Sequence, residues 1–308
     1  MSDDAAVAFV GTVRRSWSGL EPDSEVELDG TTVRTLPRPG ELLCRFATVN
    51  DVHFGETVCG LVEGTDIGPV FSVVDGEEPY PEFMNRGAIG EIAAIDPAAV
   101  VVKGDLTASG TDAEYRSFLD HYRPAFGDRL HHVRGNHDAY HGEVFADWAA
   151  QESELPGVRI ALLDTARLHQ VNGSLSADQL DWLDELGQRS AEPVMVLGHH
   201  HMWNPDVDPR SDDFFGIRPD DAEAVLDVFE RRPSLVGYFA GHTHRNQRRT
   251  IGRVAGVPFV EVACVKDYPG TWAEYKVHEG GILQISHRIS TPAALELTEE
   301  TRHMFHGA

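Results

Sequence analysis

Val100-Val101-Val102-Lys103-Gly104-Asp105 is the stretch whose reading decides the fold: an apolar, strand-like run that ends on glycine and a carboxylate. Four other stretches have the same build. Leu42 to Val49 runs into Asp51-Val52-His53, and Leu130 to Arg134 into Gly135-Asn136-His137-Asp138. Val194 to Leu197 runs into Gly198-His199-His200, and Leu235 to Ala240 into Gly241-His242-Thr243-His244. Each cluster of polar ligands therefore stands at the carboxyl end of an expected strand, the edge at which open α/β sheets bind their ligands. A single Asp-x-His or Gly-x-His pair carries little weight, because a histidine often closes a strand for structural reasons. Five clusters with about seven ligands between them are what a pair of metal ions needs. Imidazole nitrogen mixed with carboxylate and amide oxygen, without thiolate, suits manganese, iron or zinc and leaves the three open.

The chain has 308 residues, 41% of them hydrophobic, enough for one large α/β domain with small additions at either end. Its 50 acidic and 26 basic residues give a formal net charge of −24. Such a surface repels nucleic acid polymers and anionic membranes, while two metal ions would reverse the potential locally for an anionic substrate. Three cysteines, Cys44, Cys59 and Cys264, without Cys-x-x-Cys spacing point to neither a disulfide framework nor a zinc ribbon. The acidic start Met1-Ser2-Asp3-Asp4 and the lack of a membrane-length apolar run predict a cytoplasmic protein. Only Lys103, Lys266 and Lys276 are lysines, and arginine carries the other positive charge.

Residues 1–40 read as a small β appendage with a hairpin signal at Asp29-Gly30, residues 41–290 as the catalytic domain, and residues 291–308 as a C-terminal tail. The glycine-spaced connection from Gly55 to Gly76 reads equally as a substrate lid or a plain surface insertion. Helices are expected near Glu82 to Ile95, after capping boxes at Thr111 and Ser176, and from Pro219. Pro258 to Val265, Thr271 to Val277 and Ile282 to Ile289 read as strands. No Gly-x-x-x-x-Gly-Lys-Ser/Thr occurs, which removes P-loop hydrolases.

The sequence of motifs Asp-x-His, Gly-Asp, Gly-Asn-His-Asp, His-His and Gly-His-x-His resembles the calcineurin-like metallophosphoesterases over roughly residues 44–265. Gly104-Asp105-Leu106-Thr107, the Gly173 to Leu183 segment and Gly241 to Arg245 are similar to the bacterial cyclic-nucleotide (class III) phosphodiesterase branch. The resemblance implies a four-layer α/β/β/α sandwich of two mixed sheets flanked by helices, with a dinuclear site at the strands' carboxyl edge. It implies that Asp51, His53 and His244 hold one metal, that Asn136, His199 and His242 hold the other, and that Asp105 bridges them. Two divalent or mixed-valence ions (Mn, Fe or Zn) are the implied cofactors, and a hydroxide they activate is the implied nucleophile. The resemblance gives His137 a non-ligand role at the phosphate or the leaving alkoxide, with Asp138 orienting its imidazole, and a structural cap or turn role is the other reading of Asp138. His199, His200 and His201 are consecutive, and no proline follows the pair as it commonly does in the family, so the choice of His199 over His200 depends on the local turn.

The substrate expected is a small-molecule phosphoester, with a homo-oligomer left open. Nothing in the chain beside the motifs forms a basic cluster for a dianionic monoester. Arg245, Arg248 and Arg249 face either phosphate or solvent. A singly charged phosphodiester, 3',5'-cyclic nucleotides included, fits so acidic a chain better, and a phosphomonoesterase or protein phosphatase using the same site is the alternative. Trp203, Phe214, Phe215 and Tyr268 read equally as aromatics that stack on a base and as core or loop packing.

Overall fold

In the computed structural model, residues 1–61, 68–142 and 144–302 are described. Two hairpins open the chain: β1 (Ala5–Val10) with β2 (Val13–Ser18), and β3 (Glu25–Leu28) with β4 (Thr31–Arg34). The expected hairpin signal Asp29-Gly30 closes the second hairpin with φ of 49° and 77°, the left-handed pair that a type I′ turn requires. The amino terminus is pinned to the main body by Asp3, which accepts from Lys276 Nζ at 2.7 Å and Arg38 Nε at 2.6 Å.

β5 (Leu42–Val49) then enters the core, followed by the short ladder of β6 (Val58–Cys59) and β7 (Phe71–Ser72). The candidate lid lies here, and its residues 62–67 fall outside the described residues. α1 (Tyr80–Ala94), β8 (Val100–Lys103), α2 (Asp112–Phe126) and β9 (Leu130–Val133) complete the first half. The second half runs β10 (Ala150–Leu155), β11 (Val158–Leu163), α3 (Ala177–Arg189), β12 (Val194–Leu197), α4 (Pro219–Arg231) and β13 (Leu235–Ala240). β14 (Gln247–Arg249), β15 (Phe259–Glu261), β16 (Thr271–His278), β17 (Gly281–Arg288) and α5 (Pro292–Thr301) follow. Both capping boxes form, at Thr111 and at Ser176. The stretch expected as a tail carries α5, whose Ala294 packs into the core beside α1.

The strands form two mixed sheets, in the orders β17-β16-β5-β8-β9 and β10-β11-β12-β13-β15-β14. Within them β5, β8 and β9 are parallel, as are β11, β12, β13 and β15. Strand alternation distributes the core over three layers. Val100 and Val102 of β8 face α1 and α2, meeting Met84, Ile92, Phe118 and Tyr122, while Val101 points between the sheets. Val194 and Val196 of β12 likewise meet Leu183, Val225 and Phe229 of α3 and α4, and Met195 and Leu197 turn inward to Phe239 and Tyr275. Because these strands are covered on both faces, their sequences are continuously apolar. The result is the α/β/β/α sandwich, with the carboxyl ends of β5, β8, β9, β12 and β13 at one edge. Among the described residues no helix is long and apolar enough to cross a membrane.

Candidate metal centre

At that edge the chain must leave each strand and turn its next polar side chains back toward the seam between the sheets. Five of the seven nominated ligands make the turn in the left-handed region: Asp51 (φ 53°), His53 (45°), Asp105 (50°), His242 (69°) and His244 (55°). Each such residue costs on the order of 1–3 kcal/mol, a strain that persists only where the surroundings over-determine it and that gathers at functional sites. The glycines before the ligands allow the close approach. A Cβ on Gly135 would meet Asp105 Oδ1 at 2.2 Å, and one on Gly104, itself at φ +87°, would meet His199 Nδ1 at 2.6 Å.

Hydrogen bonds across the seam lock the two sheets in register beneath the site. His199 Nδ1 donates to Lys103 O at 2.8 Å, Lys103 Nζ to Ala240 O at 2.6 Å, and Asn50 Nδ2 to Val262 O at 2.9 Å. Asn50 Nδ2 also bonds Asp51, which takes the His242 backbone N–H at 3.1 Å.

The side chains converge in overlapping groups whose ligand atoms lie within 4.8 Å of one another: Asp51 with His53 and His244, Asp51 with Asp105 and His199, His53 with Asp105 and His137, and His199 with His200 and His242. Asp105 Oδ2 stands between the groups, 3.4 Å from His53 Nε2 and 3.3 Å from His199 Nε2. His244 Nε2 lies 3.5 Å from Asp51 Oδ1. Asn136 turns its amide so that Nδ2 meets Tyr140 Oη at 2.5 Å, leaving Oδ1 3.0 Å from His199 Nε2. Since His199 Nδ1 is committed to Lys103 O, the neutral ring presents only a lone pair to Asn136 Oδ1 and Asp105 Oδ2. Three lone pairs facing one point need a proton or a cation between them. His53 Nε2 is buried without a hydrogen-bond partner among the described residues. Orphaned nitrogen and converging oxygens fit a pair of borderline ions, and of the sulfurs among the described residues Cys264 Sγ lies within 4.8 Å of ligand atoms of His244 and Asp267.

The electrostatics agree. Burial works against ionisation of Asp51, but the charge of His244 outweighs it and holds the carboxyl below the usual range. Burial is likewise overcome at Asp105, by His199 and His137, and its pKa falls well below the usual. Burial and Lys266 oppose protonation of His53, yet Glu56 and Asp105 lift it to about 9. His199, opposed by burial and favoured by Asp105, is also raised to about 9. Protons on these two rings hold places that cations would take.

The His199 and His200 alternatives separate here. His200 Nε2 donates to Val171 O at 3.0 Å and its Nδ1 pairs with Thr165 Oγ1 at 2.8 Å, so both nitrogens are engaged by protein. His242 has its Nε2 on Phe215 O at 2.7 Å, so Nδ1 is the ring nitrogen left to a metal. His137 sends Nδ1 to Ala108 O at 2.8 Å, its ring 4.4 Å from that of His53.

The expected orientation of His137 by Asp138 is corrected. The buried Asp138 carboxylate instead accepts from Gly135 N (2.7 Å), Leu106 N (3.0 Å), Thr107 N (2.9 Å) and Thr107 Oγ1 (2.6 Å). It ties the loop after β8 to the loop after β9, and it follows His137 in sequence without facing its ring. Burial and the charge of Asp105 push its pKa up to about 6, against the pull of these donors.

Sequence reasoning missed the support behind His53. Glu56 Oε2 lies 2.9 Å from His53 Nδ1, and Glu56 is held in turn by Lys266 Nζ at 2.7 Å and Tyr80 Oη at 2.5 Å. The scarcity of lysine was the available signal. Lys103, Lys266 and Lys276 are all buried, each on a specific acceptor. Of the three arginines, Arg249 pairs with Asp208 and Glu261, and Arg248 lines a cavity of ≈ 510 Å³ with Pro193, Val236 and Pro258, at the opposite ends of the strands. Arg245 lies exposed directly after His244.

Fold and site together define a metallophosphoesterase. A model of the calcineurin-like phosphoesterase family matches residues 44–246, and the chain belongs to that family of metal-dependent phosphoric ester hydrolases, typically dinuclear. Over 203 residues it is 24% identical to a "Probable cyclic nucleotide phosphodiesterase" of Synechococcus sp., covering 62% of this chain and 76% of that protein. Over 210 residues it is 29% identical to a cAMP/cGMP dual specificity phosphodiesterase of Mycobacterium tuberculosis, covering 65% of this chain and 63%, under two thirds, of that one. In fold it is similar to a dimetal phosphatase from Danio rerio, with a TM-score of 0.58 and 20% identity over 81% of this chain and 100% of the other.

Proposed function

We propose that this chain hydrolyses phosphodiesters at two metal ions, one held by Asp51, His53 and His244, the other by Asn136, His199 and His242, with Asp105 shared. The observation that carries the reading is the position of Asp105 Oδ2, within 3.4 Å of His53 Nε2 and 3.3 Å of His199 Nε2. Bound ions would supply an acidified water and neutralise charge developing on phosphoryl oxygen.

The protein's own part is placement and proton control. Three cross-sheet hydrogen bonds keep the ligand groups in register. Burial and His53 hold His137 down to about 4 although Asp105 pulls the other way, so the ring is neutral in the free protein. With Nδ1 on Ala108 O, Nε2 is the atom left to meet a substrate. An anionic phosphate beside it favours the imidazolium and so loads the proton that a leaving alkoxide requires.

A diester suits the surroundings, because a single negative charge asks for little more than the ions and the exposed Arg245. Relatives named as cyclic nucleotide phosphodiesterases support the same substrate class. The three cysteines are free thiols, in keeping with a reducing cytoplasm. The test is hydrolysis of bis(p-nitrophenyl) phosphate against p-nitrophenyl phosphate by protein stripped with chelator and restored with manganese. Restored turnover that favours the diester supports the proposal, and monoester preference replaces it with a phosphatase.

A further inference from the structure

We infer that the ring of Phe215 is the shelf on which a planar substituent of the substrate, a nucleobase or an aryl group, stacks while its phosphate lies at the paired ligand groups. The inference rests on the phosphodiesterase reading above and adds the kind of ester that the site prefers.

Phe215 stands on the connection between β12 and α4. Its ring lies 4.0 Å from that of His242 at an interplanar angle of 25°, and its backbone oxygen takes the Nε2–H of the same imidazole. Ring and carbonyl thus fix the residue against the centre at two points, yet 51% of Phe215 remains exposed. A lone exposed phenylalanine is ordinary on a protein surface. One stacked on a nominated metal ligand stands beside the centre.

The loop that carries it is anchored on both sides. Ile217 N donates to His201 O at 2.8 Å, Gly173 N to Gly216 O at 2.9 Å, and Asn172 Nδ2 to Asp212 O at 2.8 Å. A shelf ordered in advance spares the substrate the cost of ordering it. Of the other aromatics considered, Trp203 is 4% exposed with its Nε1 on Pro209 O, and Phe214 packs against the outer core.

The test compares manganese-restored wild type, Phe215→Leu and Phe215→Trp, after two bound ions have been verified in each. Specificity constants are measured for 3',5'-cyclic AMP and for the alkyl diester glycerophosphoethanolamine, and calorimetry compares binding of AMP with ribose 5-phosphate. A stacking contact predicts that the preference for cyclic AMP falls on the order of tenfold in Phe215→Leu and is kept in Phe215→Trp. An unchanged ratio, or equal losses on both esters, overturns the shelf. If the wild type turns over no diester, the phosphodiesterase reading fails instead. The shelf is then judged by binding alone: tighter AMP than ribose 5-phosphate, lost in Phe215→Leu, sustains it, and equal affinities overturn it.

Discussion

Replacing Asp138 separates a residue that builds the site from one that works on the substrate. Its carboxylate is fully buried and takes three backbone N–H groups and one hydroxyl from the loops after β8 and β9. In Asp138→Ala the three N–H groups lose their acceptor, and a buried donor left unsatisfied costs about 1–3 kcal/mol. Water entering the vacated space recovers part of this, so the expected loss is about 3–6 kcal/mol, a large share of the roughly 5–15 kcal/mol that holds a domain together. Asp138→Asn keeps one acceptor oxygen but turns an NH₂ toward other donors, and an intermediate loss is expected. Urea denaturation in the presence of chelator measures both, because metal affinity then does not enter. A role confined to orienting His137 predicts the reverse: near-normal stability and a rate reduced a hundredfold or more. A loss below about 1 kcal/mol in Asp138→Ala would refute the loop-tying argument.

Asp105→Ala removes the carboxylate proposed to bridge the two ions; both ions and all turnover should be lost, and metal analysis showing near-normal content would end the bridging assignment. His137→Ala should retain the metals while the rate falls by roughly 10²- to 10⁴-fold, and a metal-free variant would make His137 a ligand. Glu56→Gln exchanges the carboxylate beside His53 Nδ1 for an amide, and metal affinity measured by competitive chelation should weaken by about 10- to 100-fold. Glu82, whose Oε2 is buried without a partner among the described residues, is raised by burial to about 7. Its ionised form is penalised only in the folded state, so stability should fall as pH rises from about 4.5 to about 7 and level off above. Thermal unfolding of Glu82→Gln at pH 8 should then show a gain of about 1–3 kcal/mol that is absent at pH 4.

The strand ends were legible because both faces of β8 and β12 are covered, which makes their sequences unbrokenly apolar up to the glycine that turns them. The capping boxes at Thr111 and Ser176 marked α2 and α3 for an equally local reason. β10 was hidden. It is an edge strand reading Ala-Gln-Glu-Ser-Glu-Leu, whose Glu152 pairs with Arg159 and Arg189, so no apolar alternation announces it. Phe259–Glu261 is shorter than its apolar run suggested, since Val262 to Val265 leave the ladder and pack buried beneath the site. At the centre, residue types and spacing pointed to the ligand clusters, but tautomers and orientation are properties of distant partners. That His200 is spent on Thr165 and Val171, or Asp138 on Leu106 and Thr107, is decided by loops that sequence spacing does not bring together.

The lysines show how composition and site chemistry meet. In a chain that places arginine nearly everywhere else, lysine stands at three buried positions. The guanidinium is a wide planar fork, whereas an ammonium is a point charge on a slim apolar stem. Only the latter threads between two packed sheets to reach Ala240 O, as Lys103 does, or closes on Glu56 behind His53, as Lys266 does. Exposed arginines spread over the surface leave the net charge at −24, a field that repels anions at long range. Inside the cleft the balance reverses: the nominated ligands include only two carboxylates, Asp51 and Asp105, beside neutral imidazoles and one amide. Two divalent ions held there would exceed the ligand charge, and in a site buried from solvent the excess would be weakly screened. Under the proposed function a singly charged diester would meet a small, short-range attraction at the centre, and the inferred Phe215 shelf would supply the selectivity.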